Sequence, residues 1–171
     1  MKLQNKKVNL NFVSFLLLIF FSSCGVYSFS GASIQGKTLN MHTLENKAPN
    51  VVPSLSSNLT VKIKSRILSQ SGLAPVNTET SDYDISGAIN TYQVTVSGVS
   101  SGSAASQNRL TIGVEIKFKN RLDEKASFTQ TFSRFADFPA TQSLQAVETQ
   151  LIEEIGNQLA DDIFNKAFVN W

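Results

Sequence analysis

The chain has 171 residues, 42% of them hydrophobic and 16% charged, with 9 Gly, 4 Pro and a single Cys. That balance excludes a disordered tail and a fibrous protein, and one cysteine excludes an internal disulfide framework. The formal charge of +2 is a property of the N-terminus: without Lys2, Lys6 and Lys7 the 13 acidic residues outnumber the basic ones by one, which removes the net positive excess on which nucleic-acid binding relies.

Residues 1–23 read as a secretion leader. Lys2, Lys6 and Lys7 make a basic start, and Phe12 to Phe21 make an apolar stretch well short of the roughly 20 residues that a membrane-spanning helix takes. Phe21-Ser22-Ser23-Cys24-Gly25 then resembles a bacterial lipobox, with Phe21 where Leu is usual. Cys24 is therefore expected to be lipidated and to become the mature N-terminus. The alternative is ordinary cleavage that leaves a free thiol, a liability in an oxidising compartment. Buried acyl chains contribute about 0.8 kcal/mol per CH₂, so two or more anchor a protein stably. Gly25 to Phe29 carries no acidic residue, and in this it resembles lipoproteins held on the periplasmic face of an outer membrane. The expected organisation is a leader over 1–23, a lipidated tether over 24–36 and one α+β domain over 37–171.

Lys37 to Leu44 places Leu39, Met41 and Thr43 on one side and Thr38, Asn40 and His42 on the other, the alternation of a short strand. A turn-rich stretch from Asn46 to Pro53 follows. Ser54 is a candidate N-cap for a helix whose apolar residues Leu55, Leu59, Ile63 and Ile67 recur every fourth position, with Gly72 as its stop. Tyr83, Ile85, Gly87 and Ile89 alternate, then Tyr92, Val94 and Val96 alternate on the other parity. This predicts a long strand with a bulge near Asn90-Thr91. Gly98 to Asn108 reads as a flexible Gly/Ser/Ala hairpin loop. Leu110, Ile112, Val114, Ile116 and Phe118 form the clearest buried strand face, with Arg109, Thr111, Glu115, Lys117 and Lys119 on the wet side.

A polar turn over Asn120 to Lys125 leads to a strand from Ser127 to Phe135. A long amphipathic helix follows Pro139 and Thr141, marked by Leu144, Val147, Leu151, Ile152, Ile155, Leu159, Ile163 and Phe164. The predicted fold is an α+β two-layer sandwich. Two helices pack on one face of a four-stranded mixed sheet, an antiparallel meander extended by the first strand, in the order β-α-β-β-β-α.

Candidate chemistry is sparse. His42 is the only histidine, so no His cluster can bind a metal, and it reads as a surface or edge residue. Cys24, if acylated, is neither nucleophile nor metal ligand. Asp82 and Asp84 could share a cation, but acids at a strand opening are usually turn chemistry. Glu153-Glu154 and Asp161-Asp162 read as a solvated helix face, and no phosphate loop, nucleophile elbow or dinucleotide fingerprint occurs. No cofactor, metal or enzymatic activity is expected. The cations Lys62, Lys64 and Arg66 on the first helix, and Arg109, Lys117, Lys119 and Arg121 along the best strand, are either solvated or poised for phosphate or carboxylate groups. Phe135 falls on the opposite parity from Phe128 and Phe132; with Phe138, either all four are core around a twist or bulge, or some meet a partner.

Cys24 to Ile34, Asn108-Arg109-Leu110-Thr111-Ile112, Phe132-Ser133-Arg134-Phe135-Ala136-Asp137-Phe138, Leu151 to Ile155 and Asp161 to Trp171 together resemble the LptE family, the lipopolysaccharide-assembly lipoproteins of Gram-negative outer membranes. The resemblance implies two helices against a four-stranded sheet. It implies a lipoprotein that plugs and helps assemble the LptD β-barrel translocon and assists lipopolysaccharide insertion into the outer leaflet. It also implies lipopolysaccharide binding through basic residues, for which Lys117, Lys119, Arg121 and Arg109 are the candidates here, chosen on charge and position alone. A pilot lipoprotein for another outer-membrane machine, such as a secretin, would share anchor and size. A carrier of hydrophobic ligands would need an apolar cavity, for which two helices on a small sheet leave little room.

Overall fold

The structure is a computed structural model that describes residues 34–50, 52–99 and 105–169. In chain order the elements are β1 (Thr38–Met41), β2 (Glu45–Asn46), α1 (Leu55–Ser71), β3 (Ala74–Val76), β4 (Tyr83–Val99), β5 (Ala105–Asn120), a 3₁₀ turn (Glu124–Ala126), β6 (Phe128–Pro139) and α2 (Leu144–Phe168). The sheet runs β3-β1-β4-β5-β6, with β2 also on β4. The α+β class and the mixed sheet match the sequence, but the sheet has six strands where four were expected. The two additions are β2, of two residues, and β3, of three including Pro75. Neither is long enough for period-two alternation to register.

β1 ends at Met41, three residues short of its predicted limit, because Leu44 is pulled toward α1. Its N–H donates to Thr60 Oγ1 at 3.0 Å, its carbonyl accepts from the Ser56 hydroxyl, and its side chain is fully buried. Thr43 is consequently exposed and does not share the inner face of Leu39 and Met41. The parallel pairing of β1 with β4 starts at Leu39 opposite Tyr83. Asp82 clamps that start: one carboxylate oxygen accepts from the N–H groups of Lys37 and Thr38 and from the Thr38 hydroxyl, at 2.8 to 3.0 Å.

The predicted bulge is present, since the β4–β5 register jumps between Ile89 and Thr91. Inward parity switches there from odd to even, which keeps Tyr83, Ile85, Ile89 and Tyr92 all on the buried face. The hairpin loop is shorter than predicted. β4 continues to Val99 and β5 begins at Ala105, so small and polar residues of the Gly/Ser stretch are drawn into the ladder; residues 100–104 lie outside the described part.

The β5–β6 register runs without a break from Gln107 opposite Pro139 to Phe118 opposite Phe128. With no bulge to change parity, Phe128, Phe132, Ala136 and Phe138 point inward, and Phe135 points outward with 47% of its surface exposed. The reading of all four phenylalanines as core therefore fails for Phe135 alone.

Helix α1 stops where expected: Gly72 adopts φ 69°, and its N–H donates to the Leu68 carbonyl at 3.2 Å, a left-handed cap that a Cβ would strain. Ser54 occupies the N-cap position but makes no side-chain bond, because its backbone is already helical at φ −87°, ψ −8°. The helices run in the same direction, as the successive cross-pairs Lys62–Glu153 and Arg66–Asp161 require. Their buried faces, Leu55, Leu59, Ile63 and Ile67 of α1 and Leu151, Ile155, Leu159 and Ile163 of α2, meet the inward face of the sheet in one core. At the end of the sheet where the described chain begins, Tyr83, Phe118, Phe128, Phe164 and Phe168 stack at centroid distances of 5.2 to 5.8 Å.

Candidate functional site

Alternation along β5 forces Arg109, Lys117 and Lys119 onto the face turned away from the helices, as predicted. They do not form one cluster. Arg109 is ten positions from Lys119, about 33 Å along the strand, and its charge is committed: Nε and an η-nitrogen donate to the two carboxylate oxygens of Asp137 at 2.8 and 3.0 Å. The bond from Arg109 holds the Asp137 carboxyl below the ordinary range. Arg121 lies beyond the strand end. Its guanidinium donates to the Glu79 carbonyl and its N–H to the Asp82 carbonyl at 2.9 Å, so it staples the loop between β3 and β4 to the meander.

Lys117 and Lys119 remain. Both are exposed, and neither forms an ion pair among the described residues. Lys119 sits opposite Asp84 on β4, and Lys117 opposite Ser86 on one side and Thr129 on the other. The two lysines border an open depression of about 480 Å³ that also takes in Asp84, Ser127, Phe128 and Thr129. A second, of about 360 Å³, lies on the other side of Lys117, lined by Thr43, Glu45, Lys47 and Glu115 among others. Glu45 and Lys47 pair at 2.7 Å, and that hydrogen bond, more than charge alone, lowers the Glu45 carboxyl and raises the Lys47 ammonium. The sequence did not reveal these neighbours, because the pairing of β2 with β4 leaves no periodic trace.

The remaining candidates have structural duties. Asp84 accepts from the Asn40 amide at 2.8 Å and lies 3.1 Å from His42 Nε2. Asn40, on the side of β1 opposite Leu39 and Met41 as predicted, is thereby buried in a polar knot between β1 and β4. Asp82 is spent on the start of β1, its carboxyl lowered first by the Lys37 N–H, and no group of acids, histidines or cysteines suited to a metal ion occurs among the described residues. Lys62 pairs with Glu153 at 2.5 Å and donates to Asn157 at 3.0 Å, Arg66 pairs with Asp161, and Arg134 of β6 pairs with Asp162 at 2.5 Å. The acids read as a solvated face are thus partly clamps that tie α2 to α1 and to β6. Between the helices lies an open groove of about 660 Å³ whose lining mixes Leu59, Val61 and Ile152 with Ser57, Ser65 and Ser69, a surface trench and not the enclosed apolar cavity a lipid carrier would need. No described helix is long and apolar enough to cross a membrane. Cys24 lies outside the described residues.

The family described as LptE, lipopolysaccharide-assembly, matches residues 36–167. No curated protein matches the chain. Among solved structures, the hypothetical protein CT253 of Chlamydia trachomatis aligns at TM-score 0.56 and 7% identity, over 79% of this chain and 99% of that one. The rare lipoprotein B of Shewanella oneidensis aligns at 0.54 and 13%, over 75% and 92%. A minor lipoprotein of Acinetobacter baumannii aligns at 0.50 and 15%, over 78% and 93%. At such identities the structural likeness establishes a shared fold.

Proposed function

Since the chain belongs to the LptE family of lipopolysaccharide assembly, we propose that it works as an outer-membrane lipoprotein that plugs and helps assemble an LptD-type β-barrel and assists lipopolysaccharide insertion. The observation that carries this reading is the family match over residues 36–167, which takes in α1, every strand of the sheet and all of α2 but its last residue. Acyl chains on Cys24 hold the protein in the inner leaflet of the outer membrane, on the periplasmic side. Extended at 3.3 to 3.6 Å per residue, the tether to Lys37 reaches up to about 45 Å, enough for the folded domain to enter a barrel.

Lys117 and Lys119 are the residues proposed to meet the lipid. Two ammonium groups on an open face, free of ion pairs among the described residues, can compete with divalent cations for lipid phosphates and loosen lipopolysaccharide aggregates before insertion. Asp84 at the rim of the same depression limits how many anionic groups it can accept. No catalytic step is proposed.

The test is a mild-detergent pull-down of the tagged, lipidated protein from outer membranes, followed by mass spectrometry. A large β-barrel recovered in near-equal amount supports the plug. Recovery of a secretin instead, or of no barrel, overturns it in favour of a lipoprotein serving another machine.

A further inference from the structure

We propose that the free edge of β6 pairs antiparallel with the same edge of a second copy of this chain, with Ser133 on the two-fold axis. The direction of the β6 backbone follows from one bond. Ala140 N–H donates to the Ser106 carbonyl at 3.2 Å, and that pair continues the register Gln107–Pro139 and Asn108–Phe138. Hydrogen-bonded and non-hydrogen-bonded pairs alternate in an antiparallel ladder. The even residues from Phe128 to Phe138 therefore bond to β5, and Thr129, Thr131, Ser133, Phe135 and Asp137 turn their N–H and C=O groups to the open edge. Pro139 falls on the outward parity, where its missing N–H costs nothing. Among the described residues no hydrogen bond reaches the backbone of those five positions.

Edges of this length are normally guarded by lysine, proline or a bulge. β6 has 12 residues, an unbroken register, no lysine, and proline only at its last position. Its two charges are neutralised within the chain, Arg134 by Asp162 and Asp137 by Arg109. Antiparallel self-pairing about Ser133 brings Thr129 opposite Asp137 and Thr131 opposite Phe135, so no like charges face each other and the exposed Phe135 ring gains a neighbour. The opposite edge, β3, is three residues long and contains Pro75, so it cannot match β6. Pairing of β6 with β6 is isologous and closes at two copies, whereas β6 on β3 would grow without limit. An added strand continues the plane of the sheet, so the face that carries Lys117 and Lys119 stays open.

Sedimentation velocity on the purified full-length lipoprotein in mild detergent, over a wide concentration range, reads the outcome. The wild type is expected to form a reversible dimer. Thr131→Pro removes an edge-facing N–H and no bond of the β5–β6 ladder, a change edge strands tolerate, and should yield a monomer with an unchanged circular dichroism spectrum. Ser133→Lys and Ser133→Glu, each facing its own like charge, should be monomeric alone, and an equal mixture should dimerise again. That recovery cannot come from misfolding. A wild type that stays monomeric overturns the proposal and leaves the edge to a strand of another protein or of the tether. A dimer that survives Thr131→Pro and both Ser133 variants overturns it in favour of another surface.

Discussion

The Arg109 guanidinium lies 3.6 Å from the centroid of the Phe135 ring, which it covers from the outer side of the sheet. Arg109 stands opposite Asp137, and Thr111 opposite Phe135, so the stack crosses the ladder diagonally while the same side chain holds Asp137. Arg109 is a local clamp on the outward aromatic, and its charge is already balanced by the two-point bond to Asp137. Arg109→Ala should therefore lower the melting temperature slightly and leave lipopolysaccharide affinity near the wild-type value in a binding titration. A loss of affinity as large as that of the lysine variants would return Arg109 to the binding face.

Lys117 and Lys119 behave oppositely. Their side chains are exposed and outside any ion pair among the described residues, so charge reversal has little folded structure to disturb. Lys117→Glu with Lys119→Glu should weaken lipopolysaccharide binding about tenfold or more, since two charge-assisted bonds to phosphate are each worth roughly 1.5–3 kcal/mol before screening. The melting temperature should fall only slightly, from the second carboxylate that Lys119→Glu sets opposite Asp84, and the difference in affinity from wild type should shrink with added salt. Unchanged affinity removes both residues from the proposed site.

Acid should unfold the protein through a small set of carboxylates. Asp82, Asp137 and Glu153 all titrate below their ordinary values in the fold. The main causes are backbone N–H donation from Lys37 to Asp82, and the side-chain bonds from Arg109 and from Lys62 to the other two. A carboxyl with a depressed folded pKa contributes stability that is fully present above its unfolded value and is lost as pH falls through the folded one. Stability should thus be flat at neutral pH and decline below about pH 4, the ordinary carboxylate value. Asp82→Asn, which also frees the start of β1, should be less stable at pH 7 and lose less on acidification. An acid profile as steep as the wild type's would show that Asp82 is not among the groups responsible.

The sequence disclosed the parts of the fold in which one physical period runs long enough to be counted. The alternation at Leu110 to Phe118, the four-residue recurrence in both helices and the parity switch at Asn90 all survive in the structure, because each decides which side chains reach the core. What stayed hidden was short or non-local. β2 and β3 exist only because β4 and β1 offer them an edge. Leu44 leaves its strand for a hydroxyl on α1, and the acids of α2 find cations on α1 and β6 that no spacing rule connects. The candidate site was legible to the same degree. Parity placed Lys117 and Lys119 on the wet face, but only the pairing partners Asp137 and Glu79 separated them from Arg109 and Arg121.

Tyr92 tests how β4 is held beneath α2. Its ring is buried against the core and its hydroxyl donates to Glu148 Oε1 at 2.5 Å. Burial, reinforced by the neighbouring carboxylate, pushes the phenol well above its usual range. Tyr92→Phe should cost about 1.5–3 kcal/mol in urea unfolding, the price of one part-buried hydrogen bond to a charged group, with no change in the slope of the transition. A neutral result would mean that water serves Glu148 equally well.

Gly87 tests the sheet beneath the lysines. A Cβ at Gly87 would come within 2.1 Å of the Glu115 carbonyl oxygen and 3.3 Å of the Ile116 Cα. Both are backbone atoms of the strand that carries Lys117, so no side chain can swing aside, and relief requires β4 and β5 to separate locally. Gly87→Ala should destabilise the protein by about 1–3 kcal/mol, in the range of overpacked cores and against the usual preference for alanine over glycine in a strand. Because Ser86 pairs with Lys117 and Asp84 with Lys119, the same shift moves the rim of the depression. Lipopolysaccharide affinity should fall along with stability in Gly87→Ala. In Gly72→Ala, by contrast, the strain lies at the end of α1, where Gly72 holds a left-handed φ, and there stability should fall while affinity holds. Equal loss of affinity in both variants would mean that binding follows global stability and not the local geometry of β4 and β5.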